Sequence, residues 1–379
     1  MYSTRLDRFT DSTMMTLTSE KVRYDLAESV GPDLQLSDVL DPADMAAIAT
    51  LSLEYRSAHG CPRLRQAIAV QHDVDADHVV TTVGGMHAIF LCGSILCNKN
   101  DHALVQKPGF PLAQSALAFN NADVELLPAR FDNGYQLDIE DCVAKLKSNT
   151  SLVCLASPQN PSGVAISKTD ILDLLDAMRN RSPGAFLLLD ETYRQASYGT
   201  DEPDPSLVSA DERIISCASL SKCHGAPGLR SGWAITRHEA LRQQLISGKF
   251  QTVISCSGLD EAVALRVLER SDELLAGRRR HLASGYSTVA GFVAKHSEQL
   301  AWVAPDAGAL CCVRLHPQQF DSARVMDFHR ELQGRSVRVA PGGWFGDEPQ
   351  VFRLGFGLLP VPELEQGLGR IGNVLENLR

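Results

Sequence analysis

The chain has 379 residues, 44% of them hydrophobic, which is enough for one large hydrophobic core and a smaller second one. Its formal net charge of −10 argues against a surface built for nucleic acid or an anionic membrane. No apolar run reaches the roughly 20 residues that span a bilayer, and the polar N-terminus lacks the apolar centre of a signal peptide. Because the chain is long and shows no sign of secretion, we expect a cytoplasmic, soluble protein with reduced cysteines. The ten cysteines form no C-x-x-C pair, and adjacent Cys311 and Cys312 would point to opposite faces of a strand, so no metal site is expected.

Short apolar runs alternate with amphipathic segments over the first two thirds of the chain. The predicted strands are residues 78–83, 102–105, 152–155, 185–189, 214–217 and 231–235. Helix-like windows lie between most of them, for example at 86–97 and 167–178. Because the apolar runs are continuous rather than alternating, they favour a parallel sheet covered on both faces. The pattern predicts an α/β domain of βαβ units.

The chain then changes character. A long helical region is predicted from about residue 237 to 296, and the basic run 278–281 is expected on its solvent face. A smaller α+β domain is predicted from strands at 300–303, 309–315, 337–340 and 351–356, with helices at about 323–332 and 362–378. The predicted division is 1–45, a segment packing on the small domain and the active site, 46–285, the large domain, and 286–379, the small domain.

Candidate ligand-binding residues follow the predicted strands, where ligands of open α/β sheets bind. Gly84-Gly85-Met86 opens a helix, and glycines there let free backbone N–H groups approach an anion. Phe110 can stack on an aromatic ring, although such a residue is more often part of the core. Asn160 lies in a loop held by two prolines, which is otherwise an ordinary turn.

The later strands end in more diagnostic residues. Asp190 closes an apolar run, where a carboxylate needs a partner such as a protonated pyridine nitrogen, a lysine or an arginine. Tyr193 can reach the phenolic oxygen of the same ring. Ser219-Leu220-Ser221-Lys222, with Arg230 eight residues later, offers hydroxyls and a guanidinium for a phosphate beside an amine for an aldehyde. Each feature has an ordinary structural explanation, but the ordered set indicates pyridoxal 5′-phosphate.

At these positions the chain resembles the class I and II aminotransferases, which are fold type I pyridoxal-phosphate enzymes. The resemblance rests on residues 55–65, 79–90, 157–163, 187–193 and 219–233 and extends over about 45–379. It implies a large α/β domain with a mainly parallel sheet and a smaller α+β C-terminal domain. It also implies a homodimer with shared active sites that acts on amino acids and 2-oxo acids, with no nucleic-acid or membrane partner.

The resemblance further implies a role for each candidate residue. Lys222 would be the catalytic residue and hold the cofactor as a Schiff base. Asp190 would pair with the pyridine nitrogen, Asn160 and Tyr193 would hold the phenolic oxygen, and Phe110 would stack on the ring. The phosphate would be bound by Gly85, Met86, Ser219, Ser221, Arg230 and, across the dimer, Tyr55.

The sequence does not decide the role of two candidate substrate-binding residues, Arg353 and Glu28, or which of two reactions the enzyme catalyses. Arg353 would bind the substrate α-carboxylate, unless a structural Asp or Glu is its partner. The first reaction is transfer of the α-amino group of an L-amino acid to a 2-oxo acid, which suits the ordinary motif at 190–193. The second is elimination, cyclisation or oxidation of an arginine-like (guanidino) amino acid in a natural-product pathway.

The second reaction is considered because the usual early Gly-x-Pro segment is missing. Residues 24–31, 352–357 and 362–368 look instead like the capreomycidine synthase branch of the family. Glu28 is then hypothesised to contact a basic substrate side chain, the alternative being a surface glutamate. A cofactor-sensing regulator fused to a DNA-binding module is disfavoured, because the stretch before Tyr55 is too short and too acidic for a basic recognition helix.

Overall fold

A seven-stranded sheet is the largest element of the computed structural model, which describes residues 13–198 and 203–378. The strands are β1 (Tyr24–Asp25), β2 (Val79–Val83), β3 (His102–Lys107), β4 (Asp123–Pro128), β5 (Thr150–Ala156), β6 (Phe186–Asp190), β7 (Ile214–Ser219), β8 (Ser231–Thr236), β9 (Leu300–Val303), β10 (Leu310–Leu315), β11 (Val337–Arg338), β12 (Ala340–Pro341) and β13 (Val351–Gly355).

The helices alternate with the strands through most of the chain. They are α1 (Thr16–Ser19), α2 (Leu36–Val39), α3 (Pro42–Ala49), α4 (Pro62–His72), α5 (Gly84–Leu96), α6 (Pro111–Ala118), α7 (Ile139–Lys145), α8 (Lys168–Arg181), α9 (Glu239–Val253), α10 (Gly258–Glu269), α11 (Ser271–Lys295), α12 (Ser322–Gly334) and α13 (Val361–Asn377).

The large sheet has the strand order β2-β8-β7-β6-β5-β3-β4, and only β8 runs antiparallel to its neighbours. Successive residues of its central strands enter two different hydrophobic clusters: Leu187 and Leu189 pack on one face, and Leu188 on the other. A strand buried on both faces needs an unbroken apolar run, which is why the continuous pattern predicted this sheet correctly.

The C-terminal part forms a separate antiparallel sheet in the order β12-β13-β10-β9. Its core includes residues of α11, α12 and α13. The N-terminal strand β1 pairs in parallel with β11, and Leu26 continues that contact through its N–H to the Arg338 carbonyl. This α/β arrangement with a second α+β part confirms the predicted fold class.

Several sequence-based expectations need correction. Edge strand β4 was not predicted, because its exposed and half-buried residues give no apolar run. The long helical region is three helices, interrupted after α9, where Ile254 adopts a φ of 63°, and again at Arg270, between α10 and α11. The basic run 278–281 is a solvent face only in part: Arg280 is exposed, but Arg278 is half-buried and donates to the Pro32 carbonyl, and His281 contacts the Gly357 carbonyl.

The division into three segments stays a prediction. Its boundary after residue 285 falls inside α11, and residues 1–12 of the N-terminal segment lie outside the described part of the chain. Residues 13–198 and 203–378 include no helix of the length and apolarity that crossing a membrane requires.

Candidate active site

One cavity of about 880 Å³ lies where the carboxyl ends of β5, β6 and β7 meet the start of α5. All but one of the predicted site residues line it: Glu28, Gly85, Met86, Phe110, Asn160, Asp190, Tyr193, Ser219, Ser221, Lys222, Arg230 and Arg353. The exception is Tyr55, which is 82% exposed and lies outside the cavity. The volume suits a cofactor together with a small substrate.

One end of the cavity is rich in hydrogen-bond donors. Helix α5 begins at Gly84, so its first N–H groups have no partner inside the helix. The Arg230 guanidinium lies against this helix start: a Cβ at Gly84, whose φ is +72°, would be 2.4 Å from its Nη2. Arg230 Nη1 also approaches Ser221 Oγ at 3.4 Å, and Ser219 is buried beside it. Such a set of donors suits a phosphate.

Asp190 ends β6 at the cavity wall. Its Oδ1 accepts a hydrogen bond from the Thr192 N–H at 3.0 Å, and no Lys, Arg or His nitrogen in the described residues lies within ion-pairing distance. Burial raises the pKa of this carboxyl above its ordinary value. The lysine or arginine partner that the sequence left open is therefore absent from the described residues, and a cationic ligand would fit there.

Lys222 follows β7 and reaches the same cavity. Burial lowers the pKa of its amine to about 8, and Arg353 and Arg230 act in the same direction, whereas Glu28 and Asp190 oppose them. At pH 7 about a tenth of this amine is therefore neutral, compared with less than a thousandth for an ordinary lysine. A neutral amine is what imine formation and proton abstraction both require.

Asn160 and Arg353 are held together across the cavity. Arg353 Nη1 donates to Asn160 Oδ1 at 2.8 Å, so the amide nitrogen of Asn160 remains a donor for another group. Arg353 Nη2 donates to the Ala27 carbonyl, while its buried Nε has no hydrogen-bond partner among the described residues. No described carboxylate pairs with Arg353, which leaves it suited to a carboxylate from outside the protein.

Two residues that sequence reasoning did not single out bear on this site. Ser29 is 2% exposed, and its Oγ accepts hydrogen bonds from Tyr193 Oη at 2.9 Å and Lys222 Nζ at 3.2 Å. Glu191, which follows Asp190 in the chain, is buried outside this cavity and accepts hydrogen bonds from the hydroxyls of Ser206 and Ser216. A serine in an irregular segment and a glutamate after an aspartate carry no sequence pattern, so neither could be found by periodicity or spacing.

The aminotransferase class I and II family model matches residues 13–371. The chain belongs to this family. Like other class I and II aminotransferases, it is a pyridoxal-phosphate-dependent enzyme of the transferase class, as expected from Lys222 and Asp190.

Two individual proteins and one solved structure are similar to most of this chain. This aminotransferase-family chain is 31% identical over 349 residues to capreomycidine synthase of Streptomyces vinaceus, covering 89% of the chain and 85% of that protein. It is 27% identical over 337 residues to arginine–pyruvate transaminase of Pseudomonas aeruginosa, covering 84% and 81%. The solved structure of the PLP-dependent cyclase OrfR superimposes with a TM-score of 0.88 at 24% identity over 100% of both chains, which shows the fold.

The residues of the cavity fit pyridoxal 5′-phosphate. The donor-rich end near Arg230 matches the phosphate, and the unpaired Asp190 matches a protonated ring nitrogen. Lys222 supplies an amine whose pKa is low enough for a Schiff base. The individual roles of these residues remain predictions.

Proposed function

We propose that this enzyme transfers the α-amino group of an L-amino acid to a 2-oxo acid, with Lys222 as its catalytic residue. The observation that carries this proposal is one cavity in which the Lys222 amine, the unpaired Asp190 carboxylate and the carboxylate-binding side of Arg353 come together. When bound, pyridoxal phosphate would withdraw electrons from the substrate and make its Cα proton removable.

The protein residues would supply binding, orientation and proton transfer. Arg353 would bind the α-carboxylate and so fix the substrate in the cavity. Asn160 would donate a hydrogen bond to the phenolic oxygen of the cofactor, and Phe110 would lie against its ring. Tyr193 would donate its single hydroxyl proton to the same oxygen when the cofactor is bound, and its Oη would then accept from the Ser29 hydroxyl. Lys222, about a tenth of which is neutral at pH 7 because burial lowers its pKa to about 8, would remove the Cα proton and later return it.

A second candidate reaction is elimination, cyclisation or oxidation of an arginine-like amino acid. The Glu28 carboxylate favours such a substrate, because it is half-buried in the cavity wall and makes no ion pair within 4 Å in the described residues. A guanidinium would give it a bidentate partner. The similarity to capreomycidine synthase and to an arginine–pyruvate transaminase supports the same class of substrate.

One experiment separates the two reactions. Purified enzyme with pyridoxal phosphate is mixed with arginine, 3-hydroxyarginine, ornithine, aspartate or leucine, each with and without pyruvate. Cofactor absorbance and product masses are followed, with Lys222→Ala as the control. Transamination predicts alanine formed in step with a keto acid, only when pyruvate is present. A transaminase without pyruvate can release at most one keto acid per active site, so product in large excess over enzyme without pyruvate would instead establish elimination, cyclisation or oxidation.

The assembly and location are part of the proposal. We propose a cytoplasmic homodimer in which Tyr55 reaches the phosphate bound by the other subunit. Tyr55 and its neighbour Leu53 are 82% and 88% exposed, which suits residues that a second copy would cover. Light scattering of the purified protein should give twice the chain mass, and Tyr55→Ala should weaken cofactor binding. A cofactor-loaded monomer would contradict this assembly.

A further inference from the structure

Ser29 joins the two functional groups that flank the centre of the cavity. It lies in the irregular segment after β1, 164 positions from Tyr193 and 193 positions from Lys222. Its side chain is buried, and its Oγ is within hydrogen-bond distance of Tyr193 Oη and Lys222 Nζ at the same time. A serine oxygen has two lone pairs, so both are used by these two donors.

The contact bears on the charge of Lys222. A hydrogen bond that an ammonium donates favours the charged form of the amine. The charged groups that act on this amine from other elements are Glu28, Asp190, Arg353 and Arg230. The two carboxylates raise the pKa of Lys222 and the two guanidinium groups lower it. Ser29 is a neutral hydrogen-bond acceptor beside these four charged groups, and it favours the ammonium form of Lys222.

A small space lies next to this contact. It has a volume of about 10 Å³, room for one water molecule, and Ser29, Lys222 and Tyr193 are in its wall. Arg278 is also in its wall, and its buried Nη1 has no hydrogen-bond partner within the described ranges.

We propose that Ser29 is a positioning residue that holds the Lys222 amine and the Tyr193 hydroxyl in one hydrogen-bonded chain. Whenever the amine is free, Ser29 directs it to one place and stabilises its ammonium form. Ser29 thereby sets the pH range in which Lys222 exchanges a proton with the substrate. Its contribution does not depend on whether the product arises by transamination or by elimination.

The matched pair Ser29→Thr and Ser29→Val tests this role, because the two side chains have the same shape and differ in the hydroxyl. Cofactor-free protein is labelled with acetic anhydride between pH 6 and 10.5, and modification of the Lys222 peptide is quantified by mass spectrometry. In Ser29→Val we expect the midpoint for Lys222 to fall by about one pH unit. Ser29→Thr and the control Ser182→Ala should stay within roughly 0.3 pH units of the unchanged protein.

Ser182 is a suitable control because its hydroxyl is also buried and hydrogen-bonded, to the Lys147 carbonyl, but lies outside the cavity. Urea unfolding and circular dichroism verify that each variant is folded. An unshifted Lys222 midpoint in folded Ser29→Val, or an equal shift in Ser29→Thr and Ser29→Val, would overturn the proposal. If Ser29→Val does not fold, Ser29→Ala takes its place under the same criteria.

Kinetics of the loaded enzyme give a second readout. Loss of the positioning hydroxyl should lower kcat by roughly tenfold while KM changes less than twofold, because Ser29 acts on the amine and not on substrate binding. The acid limb of the kcat profile should move to lower pH in step with the labelling midpoint. An increase in KM at constant kcat would assign Ser29 to substrate binding and contradict the positioning role.

Discussion

Asp190 and Glu191 are adjacent carboxylates with opposite surroundings. Asp190 lines the cavity, with the Thr192 N–H as its hydrogen-bond donor and no ion-pair partner within 4 Å in the described residues. Glu191 is 7% exposed and accepts a hydrogen bond from Ser206 Oγ at 2.7 Å. Arg194 Nε and His72 Nε2 lie 3.8 and 3.9 Å from the same Glu191 oxygen.

The difference shows how to tell a binding carboxylate from a structural one. A buried carboxylate is costly unless cations or hydrogen-bond donors surround it. The protein supplies them for Glu191 and leaves Asp190 for a ligand. We therefore expect Asp190 to matter for activity and Glu191 for stability.

Removing the Asp190 charge should have the largest effect on activity. In Asp190→Asn the ring nitrogen loses its anionic partner, so we expect the first half-reaction to slow at least ~1000-fold, about 4 kcal/mol. The free energy of unfolding of the cofactor-free protein should not decrease, because an unpaired buried charge is lost. Stopped-flow absorbance and urea unfolding measure the two quantities. A stability loss above ~2 kcal/mol would place Asp190 in the structural class with Glu191.

Removing the Glu191 charge should show the reverse. In Glu191→Gln the buried Arg194 loses its nearby negative charge, and the two serine hydroxyls exchange a charged acceptor for a neutral amide oxygen, so we expect ~2–4 kcal/mol of destabilisation. Turnover of the folded fraction should stay within about tenfold. Urea unfolding compared with active-site titration checks both parts. A variant of normal stability and greatly reduced turnover would end the distinction between the two carboxylates.

His72, which lies beside Glu191, should make the stability of the protein sensitive to acid. Burial, with help from Arg194, lowers the pKa of this imidazole from 6.5 to about 4. Between pH 6.5 and 4 the unfolded chain binds a proton that the folded chain does not, so this group's contribution to stability falls as the pH falls. Its slope is at most about 1.4 kcal/mol per pH unit.

The measurement is urea unfolding at pH 7, 5.5 and 4.5. His72→Gln should be less stable at pH 7 but should lose less stability on acidification than the unchanged protein. Asp190 acts with the opposite sign: its raised pKa means that the folded, cofactor-free chain binds the extra proton. If the free energy of unfolding fell equally with pH in His72→Gln and the unchanged protein, His72 would not be the group that makes stability sensitive to acid.

Glu28 is a third carboxylate in the comparison, and we expect its substitution to have the smallest effect, a change in KM for cationic substrates. Glu28→Gln should raise KM about five- to tenfold for a cationic amino acid and leave KM for a neutral one unchanged, because an accessible ion pair contributes about 1 kcal/mol. Glu20→Gln is the matched control, since Glu20 is an exposed carboxylate at the cavity rim. Equal KM values for cationic substrates in both variants would assign Glu28 to the surface.

The sequence was most informative where structure is local. Lys222, Asp190 and Asn160 could be found because each follows an apolar strand, and strand ends converge at one edge of a parallel sheet. Ser29 could not be found in this way, because Tyr193 and Lys222 are more than 160 positions away from it in the sequence. Its own segment also has no periodic pattern that would indicate its place in the fold. The structure shows which carboxylate has partners, and no motif distinguishes Asp190 from Glu191 in that respect.

The central claim is that Lys222 binds pyridoxal phosphate covalently. Borohydride reduction of the cofactor-loaded enzyme, followed by peptide mass spectrometry, tests it most directly. We expect the mass of the reduced cofactor on the Lys222 peptide, its absence in Lys222→Ala, and no comparable labelling of the buried Lys249. Stoichiometric labelling of another lysine, or full turnover in Lys222→Ala, would contradict it.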